Sequence, residues 1–437
     1  MSAPSLIPST IPFRTLKPLS AVTLGLLLLL LVVGAATVFL GFGGADPNRI
    51  WRGLLFNWLF WSSLAMGMVM LAVTLHLTDA DWAWSFRRLA LGGAAFLPIS
   101  MLILPLLFLG SEHFFHHWLH VEGDPVIDAK RSWLNLGAMF TRDVIGVAVL
   151  FGLSGWFAHL ALRADVYGSG DDRQRGWYGR FGLLRGYRGA PEEAARSRRM
   201  MTFLGPILAI WFALVWGMIA IDLAMSLEPH WFSTMFPVAF FMTAFHGGIA
   251  ATAIAATLLR SRAGLEPFMR PGQFHDLGKL LFAFSVFWMY LNWSQYVVIW
   301  YGILPWEQEW FVHRFEQPFA PFVQAAVMLI FVLPFFGLLT RPPKKVPTIV
   351  ATFAALILVG HWLERFLLIA PSLYEEGHGG LPLGLPEIGI ALGFGALFVG
   401  TYLWFLRTFP LLPSPATLAA REPSTIQVPV DAHGATL

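Results

Sequence analysis

The side chains able to do chemistry stand out because so much of the chain is apolar. Among the ionisable residues inside long apolar stretches, seven stand out as candidates: Arg142, Asp143, Asp222, His246, His361, Glu364 and Arg365. Ionisable groups at membrane depth are costly and by default mark proton relays or substrate paths. His361, Glu364 and Arg365 stand at i, i+3 and i+4, which places all three on one helical face. An imidazole and a carboxyl so placed can accept a proton and hand it on. Arg142 and Asp143 are neighbours, about 100° apart around a helix, so each is expected to pair elsewhere. A guanidinium beside a carboxyl keeps it ionised, and Arg142 and Arg365 are expected to act in that way on Asp143, Asp222 or Glu364. The competing reading is structural, with each group a polar lock satisfied by a neighbouring helix.

Positioning these residues takes a particular kind of scaffold. Of 437 residues, 57% are hydrophobic and only 13% charged, where a soluble domain carries roughly a quarter charged residues. The bilayer must therefore serve as part of the solvent. A crossing helix needs about 20 mostly apolar residues. Ten segments qualify: Leu19–Phe42, Trp51–Leu77, Phe86–Leu109, Leu136–Leu162, Met200–Leu227, Trp231–Leu259, Leu277–Ile303, Phe319–Thr340, Val346–Ile369 and Leu383–Arg407. The first is too long for the core of a signal peptide, about 7–15 residues, and reads as a retained helix. The expectation is an all-α integral membrane protein with a tail over 1–18, a membrane domain over 19–409 and a disordered tail over 410–437.

Orientation follows from Lys and Arg. With the N terminus inside, inner segments hold 22 of the 29 basic residues and outer loops hold 5, Arg142 and Arg365 lying within spans. Both termini are therefore expected in the cytoplasm. The loop from Arg163 to Arg199, with nine arginines, reads as a solvated face attracted to anionic lipid heads. The outer loops are acidic and aromatic, with Trp306, Glu307, Glu309, Trp310 and Glu316.

Three further groups need a reading. His113, His116, His117 and His120 follow the third span. Their spacing would suit a metal on a continuous helix, but the expectation is an interfacial or partner-contact surface. His275 and Asp276 stand at the inner mouth of the seventh span, either opening a proton path or capping the helix, since an acid suits a helix N-terminus. Trp288, Tyr290, Trp293, Tyr296 and Trp300 read as packing and interfacial anchors. Cysteine is absent, which excludes Cys-held iron–sulfur clusters and CxxCH haem attachment in this chain. Bis-histidine haem between His246 and His361 is disfavoured, because only His246 has flanking glycines and the two stand at different depths. No resident cofactor is expected. A charge of +3 gives no ground for nucleic-acid binding.

Two stretches are more specific. One is Glu228-Pro-His-Trp-Phe-Ser-Thr-Met-Phe, between the fifth and sixth spans. The other runs from Phe274-His-Asp-Leu-Gly-Lys to Trp-Met-Tyr-Leu-Asn-Trp-Ser-Gln-Tyr-Val-Val-Ile-Trp-Tyr301. With ten spans and the histidine cluster, the chain resembles the membrane subunits of bacterial alternative complex III, and is most similar to the shorter, second quinone-binding one. The resemblance covers about the second to the tenth span. These subunits are similar to the polysulfide-reductase membrane anchor (NrfD-like), which implies two four-helix bundles, helices 2–5 and 6–9, flanked by helices 1 and 10.

The resemblance implies a place in a quinol:cytochrome c oxidoreductase of the bacterial cytoplasmic membrane, working in respiratory electron transport. Quinol is the substrate. The partners are an iron–sulfur subunit, haem c subunits and a paralogous membrane subunit. Oxidising a quinol frees two electrons and two protons, and a chain without a redox centre must leave the electrons to partners. On this expectation His246, His361 and Glu364 accept the protons, and Asp222 and Asp143 guide them outward. Two alternatives stay open: a structural and proton-conducting subunit with no quinone site of its own, and a secondary transporter. Against the transporter, no pair of interrupted helices appears in corresponding halves.

Overall fold

The computed structural model describes residues 11–12, 14–44, 46–168, 189–374 and 383–420. Among these the chain is helical throughout, with no strand. Ten long helices follow the expected spans: α1 (Ala21–Phe42), α2 (Pro47–Leu77), α3 (Arg87–Phe114), α4 (Leu136–Gly168), α5 (Ala190–Leu223), α6 (Phe236–Arg262), α7 (Pro271–Gly302), α8 (Ala320–Gly337), α9 (Pro347–Ile369) and α10 (Leu385–Thr408). Nine are long and apolar enough to cross a membrane, which makes this a multi-pass membrane protein. The exception is α7. Its 32 residues give ample length, but Asn292, Ser294, Gln295 and its many Trp and Tyr residues leave it less apolar than the others.

Starts are set by local chemistry. Ser20 and Asp46 accept the backbone N–H of Thr23 and Arg49 at the heads of α1 and α2, covering donors a helix leaves open. Proline occupies an early position in α2, α5, α6, α7, α8, α9 and α10, where its missing N–H does no harm. At α7 the cap is Gln273, whose side chain accepts the Arg270 N–H at 2.8 Å. That corrects the capping role considered for Asp276, which instead pairs with Lys279 at 2.7 Å and has His275 beside it. Two helices are irregular: α3 passes through 3-10 turns over Gly92–Phe96 and Phe108–Gly110, and α8 through a π-helical turn over Met328–Val332. They do not occupy corresponding places in the two sets of four helices.

Packing is organised around α2 and α6. Apolar surface gains little from meeting other apolar surface in lipid, so close backbone approach at small residues does much of the work. At the α2–α6 crossing Gly67 and Gly248 face each other, and a Cβ on either would run into the other helix's backbone. Around this axis α2 packs on α3 and α5, α3 on α4, and α4 on α5. Equivalently α6 packs on α7 and α9, and α8 on both α7 and α9. Helix α1 packs against α10, with Gly34 at Gly393, and α10 leans on α2.

The loops sort onto two faces as charge counting expects. On the basic face, Arg198 pairs with Asp79, Gln273 donates to Trp82 O, and Arg14 reaches the carbonyls of Ala263 and Gly264. On the acidic face, His230 meets Asp124, Lys130 donates to Pro229 O, and His117 meets Ser372 O. A surface helix over Pro305–Phe315 folds onto this face between α7 and α8. One expectation needs correcting. Residues 411–420 are not a loose tail: Leu411 and Leu412 are buried, Leu411 N–H donates to Arg14 O, and Ser414 and Thr417 donate to Asp165. Asp165 itself pairs with buried Arg88. Residues 421–437, and 1–10 of the N-terminal tail, lie outside the described residues.

Candidate functional site

Helices α6, α7 and α9 bring together a relay that no single stretch of sequence contains. On α9, His361 Nδ1 lies 3.0 Å from Glu364 Oε2, as the i, i+3 spacing requires. Across the helix interface His361 Nε2 meets His246 Nδ1 of α6 at 3.1 Å. From α7 the Trp288 indole donates to Glu364 Oε1 at 2.8 Å, and Thr243 Oγ1 lies 3.4 Å away. His246 and His361 are buried, and His246 Nε2 ends the line without a hydrogen bond. A tautomeric shift in each imidazole would move a proton along this chain. At 3.1 Å the contact between the two rings has the length of a hydrogen bond.

Gly360 fixes the register of this relay. A Cβ there would press on Leu329 and Ile330, two of the five residues in the π-turn of α8. Such turns often accompany functional sites, and here the bulge sits against the residue preceding His361.

Glu364 is also the wall of a cavity. Between α7, α8, α9 and the surface helix lies a space of about 870 Å³. Trp288, Trp293, Tyr296, Trp300 and Phe311 line it, together with Asn292 and Glu364. Trp293 and Trp300 are more than half exposed on the flank of the helix set, so the cavity opens sideways. The α7 aromatics, read as anchors, are therefore mostly cavity lining. Tyr290 alone among the five stays outside the lining.

The surface helix is held over this cavity by Arg314, which sequence reasoning passed over as an ordinary loop charge. It is buried and donates to Leu367 O, Ser372 Oγ, Glu228 Oε1 and Trp310 O, and its guanidinium covers the Trp310 ring at 3.8 Å. Trp310 in turn stacks on Trp231 at 4.3 Å. Burial pushes the Glu228 carboxyl up, but Arg314, His313 and Ser372 outweigh it and hold it at about 2. His313 is raised, mainly by its hydrogen bond to Glu228. The first quoted stretch thus reads as a clamp, and Ser233 within it donates to Gln295 of the second stretch at 3.0 Å.

The remaining candidates fall elsewhere. Arg142 grips Asp222 in a bidentate pair at 2.5 and 2.7 Å and stacks on Trp133, whose indole also donates to Asp222. Asp143 is buried beside Asp222, and neither of its oxygens receives a donor. This α4–α5 cluster shares no hydrogen bond with the relay among the described residues, so the route outward through Asp222 and Asp143 lacks a visible link. Arg365 does not close the expected ion pair. It donates to Phe240 O at 3.1 Å and stacks on the Phe240 ring. The four histidines around the end of α3 do not lie on one continuous helix, because the helix breaks at Phe115. His113 meets Asn48, His117 meets Ser372 O and His120 meets Glu112, while His116 lies against His117. Among the described residues no three His, Asp or Glu side chains converge as metal ligands would. No protein-family model matches the chain, and no curated protein matches it with significance.

Proposed function

We propose that this chain is a ten-helix membrane subunit of a quinol:cytochrome c oxidoreductase of the alternative complex III kind, built as two four-helix bundles, α2–α5 and α6–α9, with α1 and α10 flanking. The basic face is cytoplasmic and the acidic face external. Quinol enters the lateral cavity from the bilayer and presents a hydroxyl to Glu364. Glu364 accepts the proton, and His361 and His246 share it. The electrons leave to iron–sulfur and haem c centres of partner subunits, for which the acidic face with His113, His116, His117 and His120 is the docking side.

One observation carries this reading: a sideways-opening, aromatic-lined cavity of about 870 Å³ with a carboxylate in its wall that is already wired to two buried imidazoles. Cavities of about 300–1,000 Å³ are the size that holds a small organic ligand. Many secondary transporters bind at paired broken helices, and the irregular α3 and α8 do not correspond, which favours the subunit reading. The test is purification from native membranes with the partners, followed by titration with decyl-ubiquinone. Quenching of the cavity tryptophans, lost when Trp293 and Trp300 are replaced by leucine, supports the reading. A wild-type complex that carries haem c yet shows no quenching rejects a quinone site in this subunit, leaving the structural and proton-conducting role.

A further inference from the structure

Behind Glu364 lies a second compartment of about 30 Å³. Glu364 and Asn292 line both it and the large cavity, and Gln295 and Arg365 complete its polar wall among phenylalanines. This space is too small for an organic ligand but takes one or two waters, with enough polar partners to hold them. Gln295 is buried and firmly oriented, its amide donating to Leu291 O at 3.2 Å and its oxygen accepting from Ser233 Oγ at 3.0 Å. Ser233 is partly exposed in the turn before α6, on the acidic face. A polar route therefore runs from the cavity carboxylate to the outer surface. The opposite end of the relay, His246, points into the core and stops there.

We infer that this compartment is the proton exit of the site, with Gln295 and Ser233 as its positioning residues. A proton on the Glu364 carboxyl passes to a water in the compartment and on to bulk water past the Ser233 hydroxyl, and Glu364 returns to the carboxylate. No electrons move in this step. The groups facing Glu364 are His361 on α9, Trp288 on α7 and Thr243 on α6, with Arg365 in the compartment wall and Arg314 and Glu316 of the outer cap in the cavity wall. The inference rests on the quinol reading for the source of the proton and not for its route.

The experiment uses the full-length protein in oriented proteoliposomes. A pH jump is applied on the acidic-face side, and the carboxyl infrared band that Glu364→Gln removes is followed in time. Gln295→Leu is expected to slow its relaxation by about tenfold or more, a single decade of rate, and Ser233→Ala to slow it less but measurably. Ser233 is at the surface, so its variant remains informative if the buried one folds poorly. Relaxation as fast as wild type in folded protein, for both variants or for Ser233→Ala alone, overturns the inference. Decyl-ubiquinone quenching in the same samples reports on the quinol reading by itself: slowed relaxation without quenching removes quinol and leaves the route standing.

Discussion

Glu364→Gln isolates proton acceptance from everything else Glu364 does. The amide oxygen can still accept the Trp288 indole N–H, now 2.8 Å from Oε1, and the amide nitrogen can face His361 Nδ1, now 3.0 Å from Oε2. Shape and packing are therefore kept. What is lost is a base in the cavity wall, because His361 and His246 lie behind Glu364 and do not line the cavity. A positioned general base contributes about 10²–10⁴-fold, equivalent to about 3–5 kcal/mol of barrier. The assay is decyl-ubiquinol-driven cytochrome c reduction by the assembled complex, with quinone affinity measured separately. Turnover is expected to fall by about 10²-fold or more while affinity holds within about twofold. Turnover within about threefold of wild type, in complex with normal haem content, would refute the role of Glu364 as the acceptor.

Other perturbations probe the frame. Arg314→Met leaves the partly buried Glu228 with only His313 and Ser372 as partners, a loss expected to cost less than the about 3–5 kcal/mol of a fully buried broken pair, so detergent-solubilised protein should melt at a lower temperature and lose quinone affinity as the surface helix loosens. The cap should also show a pH optimum. Glu228 is depressed to about 2, so its contribution is full above the unfolded value near 4.3 and lost as pH falls towards 2. His313 is raised, so its contribution is full below about 6.5 and lost as pH rises through its folded value. Proteolysis of the surface helix should accordingly be slowest between about pH 4.3 and 6.5, and His313→Gln should remove the alkaline limb. Gly248→Ala drives a Cβ into the Gly67 backbone, and overpacking of this kind costs about 1–3 kcal/mol; an unchanged melting temperature would count against the tight α2–α6 crossing.

The long helices were legible because apolar length leaves few alternatives, and the two faces because arginine is so unevenly placed. The α9 part of the relay was legible too, since i, i+3 spacing fixes His361 and Glu364 within one helix. His246 reads as part of the same group but at a different depth, and its direct contact with His361 was not legible, because no spacing rule relates residues 115 positions apart. Arg314 looked like any loop cation, and its burial depends on the surface helix folding back over α9. The cavity was hidden for a related reason. Trp288, Trp293 and Tyr296 look alike as anchors or as lining until the positions of α8 and α9 are known. The docking of 411–420 was not legible because Leu411 and Leu412 are too few to register as a hydrophobic signal, while Asp165, the partner of Ser414 and Thr417, lies about 250 residues earlier.

Helix α7 is the least oily of the ten, and that has a consequence for how the protein is made. Indole and phenol groups favour the lipid–water boundary, and although Asn292 and Gln295 donate to carbonyls of α7 itself, the Gln295 oxygen finds its partner, Ser233, only when the turn before α6 is in place. A nascent α7 emerging alone from the ribosome would gain little by partitioning into the bilayer. Its insertion is therefore expected to depend more than that of the other spans on neighbours already embedded.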